Sequence, residues 1–533
     1  MYKILNVTGY EEIIKKYHLS SLTSKVLVSR NIELVNKIDE KSPYDYKDMD
    51  KVVSLILKAI SDKKKIVIYG DYDVDGICSV SILYRTFKLL NYDVGYYVPN
   101  RYEDGYGLNI NRVEQFYNKG YSLIICVDNG IKAFDSIKMA KEKGIDVIVL
   151  DHHSKDETFP NFDLYLHPEY SMFSEYNMCG ASICYYVSKA LLANSDDICL
   201  SLAGIATIGD VMPLVGQNKL LVKESLDILN KFKYKSINLL NSNNKQYDEN
   251  VLGMQVVPKL NSIGRMCKGT IINKLVTYLT SDNEEEIKGI SNFIEKTNAS
   301  RRVVTEEYFK KLDKENYDDK IIIEKDENML EGINGIISAR FLNKYKLPSI
   351  IFSLDESKEF YKGSARSLKN FNIIELIQKS KYVEFYGGHK GAAGLTIKKE
   401  NYDNFKNEVI ELCKDNVYED DVLEVIEVNS DELSYKSYLD LLKLSPFGEE
   451  NPSPLFIIKN INKNDIKTSK DGKHILLNIN NDTNLVGFDL VKDLNNDIIN
   501  YDVIFKLEPN NLYSNKITCK CIKLEVSEVC MKK

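Results

Sequence analysis

Four short segments carry residues able to hold cations or move protons. The first is Gly70-Asp71-Tyr72-Asp73-Val74-Asp75-Gly76, with three alternating aspartates. Crowded carboxylates without a counter-ion repel and raise one another's pKa; a divalent cation removes that penalty, and hard oxygen donors suit Mg2+ or Mn2+. A calcium loop of the EF-hand kind is excluded, because the position that needs a bidentate Glu is Ile82. The second segment is Asp128-Asn129-Gly130, the third Asp151-His152-His153 and the fourth Gly209-Asp210. Each alone has an ordinary reading, as an Asp-rich turn, a plain turn, a loop or a helix cap. Yet the chain has only six histidines, and two stand together in the third segment. Taken as a set, aspartates with one or more imidazoles make a binuclear site of mixed oxygen and nitrogen donors, favouring manganese, or magnesium with more water.

The flanks show what must position these groups. Lys65–Tyr69, Leu123–Val127 and Ile145–Leu150 are short apolar runs, each ending at one of the polar segments, and a helical pattern runs from Ile77 to Leu90. Such runs alternating with helices predict parallel strands covered on both faces, so the first ~230 residues read as an open α/β sheet of βαβ units. Open α/β sheets bind ligands just past the carboxyl ends of their strands, where the polar residues fall. The fourth segment follows the apolar, helix-like Leu200–Ile208. Residues 282–317 predict a helix with Ile287, Ile290 and Ile294 on one face. A second, smaller α/β region has strands near Lys320–Ile323 and Ser349–Ser353. From about residue 425 come short strands at Val422–Val428, Leu455–Ile458, His474–Ile479, Leu485–Phe488, Val503–Leu507 and Ile517–Val526, the pattern of a small β-barrel or sandwich. The expected division is a helical, polar lead-in over 1–45, an α/β catalytic domain over 46–280, a helical connector over 281–317, a second α/β domain over 318–415 and a β-barrel over 420–533.

Composition bounds the rest. A chain of 533 residues holds about three to four domains. With 44% hydrophobic and 28% charged residues it is ordinary for a soluble globular protein. No apolar run approaches the ~20 residues of a membrane span, and the first twenty residues lack an apolar signal core, so the expected location is cytoplasmic. The ten cysteines include no Cys-x-x-Cys pair and read as reduced core residues rather than zinc ligands. The net charge of −7 argues mildly against nucleic acid, but phosphate affinity is a local property. Residues 361–399 hold eight Lys or Arg against two Glu, and this basic run overlaps Gly387–Gly394. There bare backbone N–H groups let a phosphate approach closely, with Arg366, His389 and Lys390 nearby.

In order, the four segments resemble the signature motifs of the DHH phosphoesterases, and the likeness continues through the RecJ family of that superfamily. Pro258-Lys259-Leu260-Asn261-Ser262-Ile263-Gly264-Arg265-Met266 looks like the end of that family's catalytic core. Gly335–Arg340, Gly363–Ser367 and Gly387–Gly394 resemble its DHHA1 domain, and Pro446–Pro452 the start of its oligonucleotide-binding (OB) barrel; the likeness spans roughly residues 50–530. Val74 stands where the family has Ala, Lys259 where it has Arg, and Met329-Leu330 where many relatives carry Trp-His. The resemblance implies two Mn2+ or Mg2+ ions, with Asp71, Asp73, Asp75, Asp128, His152 and Asp210 as ligand candidates and Asn129 in the catalytic set. His153 is a ligand or a contact to the scissile phosphate; which first-segment aspartates bind directly stays open. Arg265, Arg340, Ser364, Arg366, Gly387, Gly388, His389, Lys390 and Gly391 are the implied substrate contacts. The implied activity is 5′→3′ hydrolysis of single-stranded DNA to mononucleotides in repair and recombination, with a single-strand-binding protein and a helicase as partners and no membrane. The alternatives are a DHH oligoribonuclease or cyclic-dinucleotide phosphodiesterase, which usually lack the C-terminal barrel, and a non-catalytic replication scaffold of the same fold.

Overall fold

The computed structural model describes residues 2–34, 38–155, 158–170, 177–232, 234–242, 246–418, 422–495, 497–511 and 516–527; Cys530 lies outside them. The chain divides into two compact units, Glu40–Glu419 and Met1–Asp39 with Asp420–Lys533.

The larger unit begins with a five-stranded parallel sheet. Its strands lie in the order Gly95–Tyr97, Ile66–Tyr69, Leu123–Val127, Asp146–Leu150, Leu164–Leu166. Successive residues alternate between two cores. Ile66 and Ile68 face the helices Val74–Leu89, Gly180–Leu192 and Asp197–Gly209, while Val67 and Tyr69 face the opposite layer with Val113 and Ile137. Both faces are covered, which is why the strands read as continuous apolar runs. Tyr69 pairs with Cys126 and Val127 with Leu150, so the central strands end level and their loops leave side by side.

The connector is one helix, Glu284–Leu312. Asn283 caps it by accepting from the amides of Glu285 and Glu286, and three glutamates in its first turn complement the helix dipole. A second five-stranded sheet follows, in the order Val383–His389, Ala392–Lys398, Phe360–Arg366, Ser349–Leu354, Ile322–Asp326, antiparallel except for the last pair. One face packs Ile337 and Phe341 of the helix Asn334–Tyr345; the other packs Leu376 and Phe405 of Ile373–Lys379 and Tyr402–Cys413. The Gly387–Gly394 stretch is not a free glycine loop. Most of it is a β-hairpin, with a tight turn at Lys390-Gly391.

The smaller unit is built on an eight-stranded sheet. Its order is Tyr2–Ile4, Leu423–Glu427, Leu455–Asn462, Asn500–Asn511, Lys516–Val526, Thr483–Gly487, Ile475–Asn478, Lys467–Thr468. The first residues are not a separate lead-in. Tyr2–Ile4 pairs in parallel with Leu423–Val425, and Leu22, Val26 and Leu27 of the helix Ser21–Ser29 enter the same core as Ile426 and Phe456. The nine described cysteines form no disulfide, and all but Cys267 are buried. No helix among the described residues is long and apolar enough to cross a membrane.

Candidate metal centre

At the carboxyl ends of the parallel strands the structure brings together Asp71, Asp73, Asp75, Asp128, His152, His153 and Asp210. Three overlapping donor groups lie with their atoms within 4.8 Å of one another: Asp71, Asp73 and Asp128; Asp128, His152 and His153; Asp75, His152 and Asp210. Asp128 and His152 each belong to two groups; the carboxylate of Asp128, with two oxygens, can serve a pair of neighbouring ions, while the single free lone pair of a neutral His152 can serve one of them.

Several of the donors are placed by local devices. Asp73 caps the helix Val74–Leu89, its Oδ1 accepting from the amides of Asp75 (2.9 Å) and Gly76 (3.2 Å). Gly76 must lack a side chain, since a Cβ there would overlap the backbone of Asp71. Asp75 is buried against the first turn of the helix Gly180–Leu192. Its two oxygens accept from the amides of Gly180 (2.7 Å) and Ala181 (2.8 Å), leaving a second lone pair on each. Asp128 adopts a left-handed backbone (φ 59°), tolerated by Asp better than by most residues, and its amide donates to Leu150 O at 2.9 Å. His152 Nε2 lies 3.1 Å from Asp128, 3.5 Å from Asp210 and 3.6 Å from Asp75.

Asp151 organises the imidazoles, a role the sequence reading did not give it. Fully buried, its Oδ1 accepts from the amides of His152 (2.7 Å) and His153 (3.1 Å) and lies 2.8 Å from His153 Nδ1; its Oδ2 accepts from the Ile131 amide at 2.9 Å. Although burial raises its pKa, these bonds and the two imidazoles hold Asp151 below the usual carboxylate range. Burial pushes His152 down to about 4, so it is neutral and has a lone pair to offer. Burial also opposes charge on His153, but the bond and charge of Asp151 outweigh it and hold His153 up to about 9.

The carboxylates themselves are strained electrostatically. Burial, then the charge of Asp73, raises Asp71 to about 7; burial, then Asp75, raises Asp210 to about 9; Asp128 is raised well above the usual range by the same two causes. Asp71 Oδ1, Asp210 Oδ2, Asn129 Oδ1 and His152 Nδ1 are buried with no hydrogen-bond partner. Buried oxygens without partners in a nest of like charge fit divalent cations.

Beside the cluster lies a cavity of about 640 Å³ between the first-segment loop and the second sheet, lined by Tyr72, Arg101, Tyr102, Lys362 and Thr396 among others. Its walls mix acids such as Glu327, Glu331 and Asp355 with the basic residues Arg101, Lys268 and Lys362. Arg101 also escaped the sequence reading. Its guanidinium lies 4.0 Å from the Tyr72 ring centroid, and its Nε is buried without a partner. The only signal was its place before the turn-forming Gly105 and Gly107.

The expected substrate contacts fall in three places. Arg265 sits where the catalytic core meets the second domain, its Nη1 donating to Gly332 O at 3.0 Å while its carbonyl accepts from Tyr102 Oη at 2.6 Å. Ser364, Arg366, Gly387, Gly388, His389, Lys390 and Gly391 share the second sheet and its hairpin. Arg340 is engaged elsewhere, paired with Glu306 of the connector helix at 2.7 Å. Asn129 is buried, donating to Val127 O at 2.9 Å.

Comparison with known proteins agrees with this architecture. Residues 65–209 match the DHH family N-terminal domain, residues 318–415 the DHHA1 domain and residues 426–520 the RecJ OB domain. The chain is 30% identical over 506 residues to the single-stranded-DNA-specific exonuclease RecJ of Bacillus subtilis; the match covers 90% of this chain and 64% of that relative's length. The crystal structure of RecJ from Thermus thermophilus in complex with Mn2+ superimposes with a TM-score of 0.85 at 23% identity, over 99% of this chain and 80% of that one. A crystal structure of exonuclease RecJ bound to manganese gives a TM-score of 0.61 at 27% identity, over 70% of this chain and 96% of that one. DHH, DHHA1 and RecJ OB domains thus follow one another in order, with the acidic and imidazole cluster assembled at the strand ends, and in this arrangement the chain resembles the RecJ proteins of the DHH family.

Proposed function

We propose that the chain is a metal-dependent exonuclease that hydrolyses single-stranded DNA from its 5′ end to mononucleotides. The observation that carries this reading is the set of overlapping donor groups sharing Asp128 and His152. Asp71, Asp73, Asp75, Asp128, His152 and Asp210 hold two Mn2+ or Mg2+ ions in this account. Bound there, the ions supply an activated water and neutralise charge developing on the phosphate. The chain's own groups do the rest. The amides of Gly180 and Ala181 fix Asp75, and Asp151 fixes both imidazoles. Asp151 also keeps a proton on His153, whose cation is then available to a phosphate oxygen. Ser364, Arg366 and the glycine hairpin hold a second phosphate away from the cluster, and the OB unit favours a polymer over a dinucleotide. A single-strand-binding protein and a helicase are the expected partners, and the cytoplasm the expected location.

The test incubates the protein with Mn2+ and 5′- or 3′-labelled single strands, duplex, short RNA or a cyclic dinucleotide, beside Asp128→Ala. Mononucleotides released from the 5′ end of single strands, and lost in the variant, support the reading. Preference for the cyclic dinucleotide or short RNA supports the oligoribonuclease alternative. Inactivity on all four, with strands still bound, supports the scaffold.

A further inference from the structure

The hairpin carries an aromatic ring that the site described so far does not use. Phe385 is 71% exposed on Val383–His389, the edge strand of the second sheet. Residues opposite one another in antiparallel strands share a face. The register sets Phe385 opposite Thr396 and Lys362, Gly387 opposite Gly394 and Ser364, and His389 opposite Ala392 and Arg366. These three rows form one face; the alternate residues Ala365, Ala393 and Leu395 point into the core. Lys362 and Thr396 also line the cavity beside the metal centre, so the Phe385 row leads from that cavity to the sheet edge. The three rows contain Lys362, Arg366 and His389 and no carboxylate. An irregularity in pairing between Val383 and Phe385 interrupts the ladder just before the ring.

We propose that Phe385 is a stacking platform for one base of a single strand whose backbone crosses the glycine row. The proposal rests on the nuclease reading and adds a positioning residue to it. The middle row offers backbone without side chains at Gly387 and Gly394, so a phosphate settles there. Same-face residues along a strand are about 7 Å apart, which puts the ring within reach of the adjoining base. An apolar ring on a basic face suits nucleic acid, which brings anionic phosphates and apolar base faces together. Stacking on such a ring is sequence-tolerant, as a non-specific exonuclease requires.

The experiment uses the full chain. In an Asp128→Ala background, which keeps the strand intact, a 15-nucleotide oligothymidylate carries one 2-aminopurine moved stepwise from the 5′ end. Fluorescence quenching at one or two adjacent positions is expected, lost in Phe385→Ala and retained in Phe385→Trp. In the active chain with Mn2+, Phe385→Ala raises KM between about five-fold and one hundred-fold with kcat within about three-fold, and Phe385→Trp restores KM. Because the ring is exposed, its truncation does not threaten the fold. Cleavage by the unaltered chain with KM unmoved in Phe385→Ala, or quenching indifferent to the substitution, overturns the platform and leaves the nuclease reading standing. A chain that neither binds nor cleaves single strands overturns both.

Discussion

Stripped of divalent ions, the protein loses stability as the pH rises from 6.5 to 8. A group whose pKa is raised on folding holds its proton more tightly in the folded state. Its contribution is complete below the unfolded value and drains away as the pH climbs to the folded one. Burial and the charge of Asp73 carry Asp71 from 3.8 to about 7, and burial with Asp75 carries Asp210 from 3.8 to about 9. His153, raised from 6.5 to about 9 against the pull of burial, acts in the same direction. His152, lowered by burial from 6.5 to about 4, opposes them, but only below 6.5. Each retained proton contributes about 1.4 kcal/mol per pH unit. Asp210 and His153 keep their protons through most of this range; two protons over one and a half units, with Asp210 discounted for its 28% exposure, come to roughly 3–4 kcal/mol, and Asp71 and Asp128 act in the same direction. That is a large share of the roughly 5–15 kcal/mol that holds a domain together. The assay is thermal unfolding in EDTA and in saturating Mn2+ at pH 6.5, 7.2 and 8. The Tm in EDTA falls by several degrees across the series, and the gain from Mn2+ grows with pH, because ions and protons compete for the same oxygens. A Tm in EDTA that is flat or rising, or an equal gain from Mn2+ at all three values, refutes the reasoning.

Four further outcomes follow from the same geometry. Asp151→Asn removes the anion that keeps His153 protonated, so the alkaline limb of the kcat/KM profile moves to lower pH and activity at pH 8 drops; an unmoved limb contradicts the assignment. Gly180→Ala puts a Cβ 2.7 Å from the Asp128 side chain and disturbs the amide that holds Asp75; Mn2+ affinity measured by titration calorimetry falls about ten-fold or more. Gly332→Ala drives a Cβ into the Arg265 carbonyl, rigid backbone where core meets second domain, and lowers stability by about 1–3 kcal/mol in denaturant unfolding. Arg366→Ala raises KM for single strands while leaving kcat within a few-fold; a fall in kcat alone would place Arg366 at the chemistry instead.

The parts legible in the sequence were those governed by short-range pattern. Leu123–Val127 is buried on both faces and bounded by polar turns, so its apolar run marked the strand and its end marked the site. The aspartates and histidines of the cluster were visible because each follows such a boundary. What escaped depends on long-range contact. Tyr2–Ile4 is three residues long and finds its partner more than 400 positions away, and no local pattern announces that pairing. The helix Gly180–Leu192 captures Asp75 with bare amides, and Cys179 before it offers no capping side chain. Asp151 stood in plain view within its motif, but its task is to hold the imidazoles, which only the hydrogen bonds reveal. The hairpin was missed as strand because glycine has low β-propensity, while its register with Phe360–Arg366 comes from the sheet.

The most direct test of the whole account is an anomalous-difference map from crystals of the protein grown with Mn2+. The account predicts two peaks a few ångström apart, both among Asp71, Asp73, Asp75, Asp128, His152 and Asp210, with Asp128 touching each. A map with no peak in that cluster, or with manganese bound only elsewhere, contradicts it.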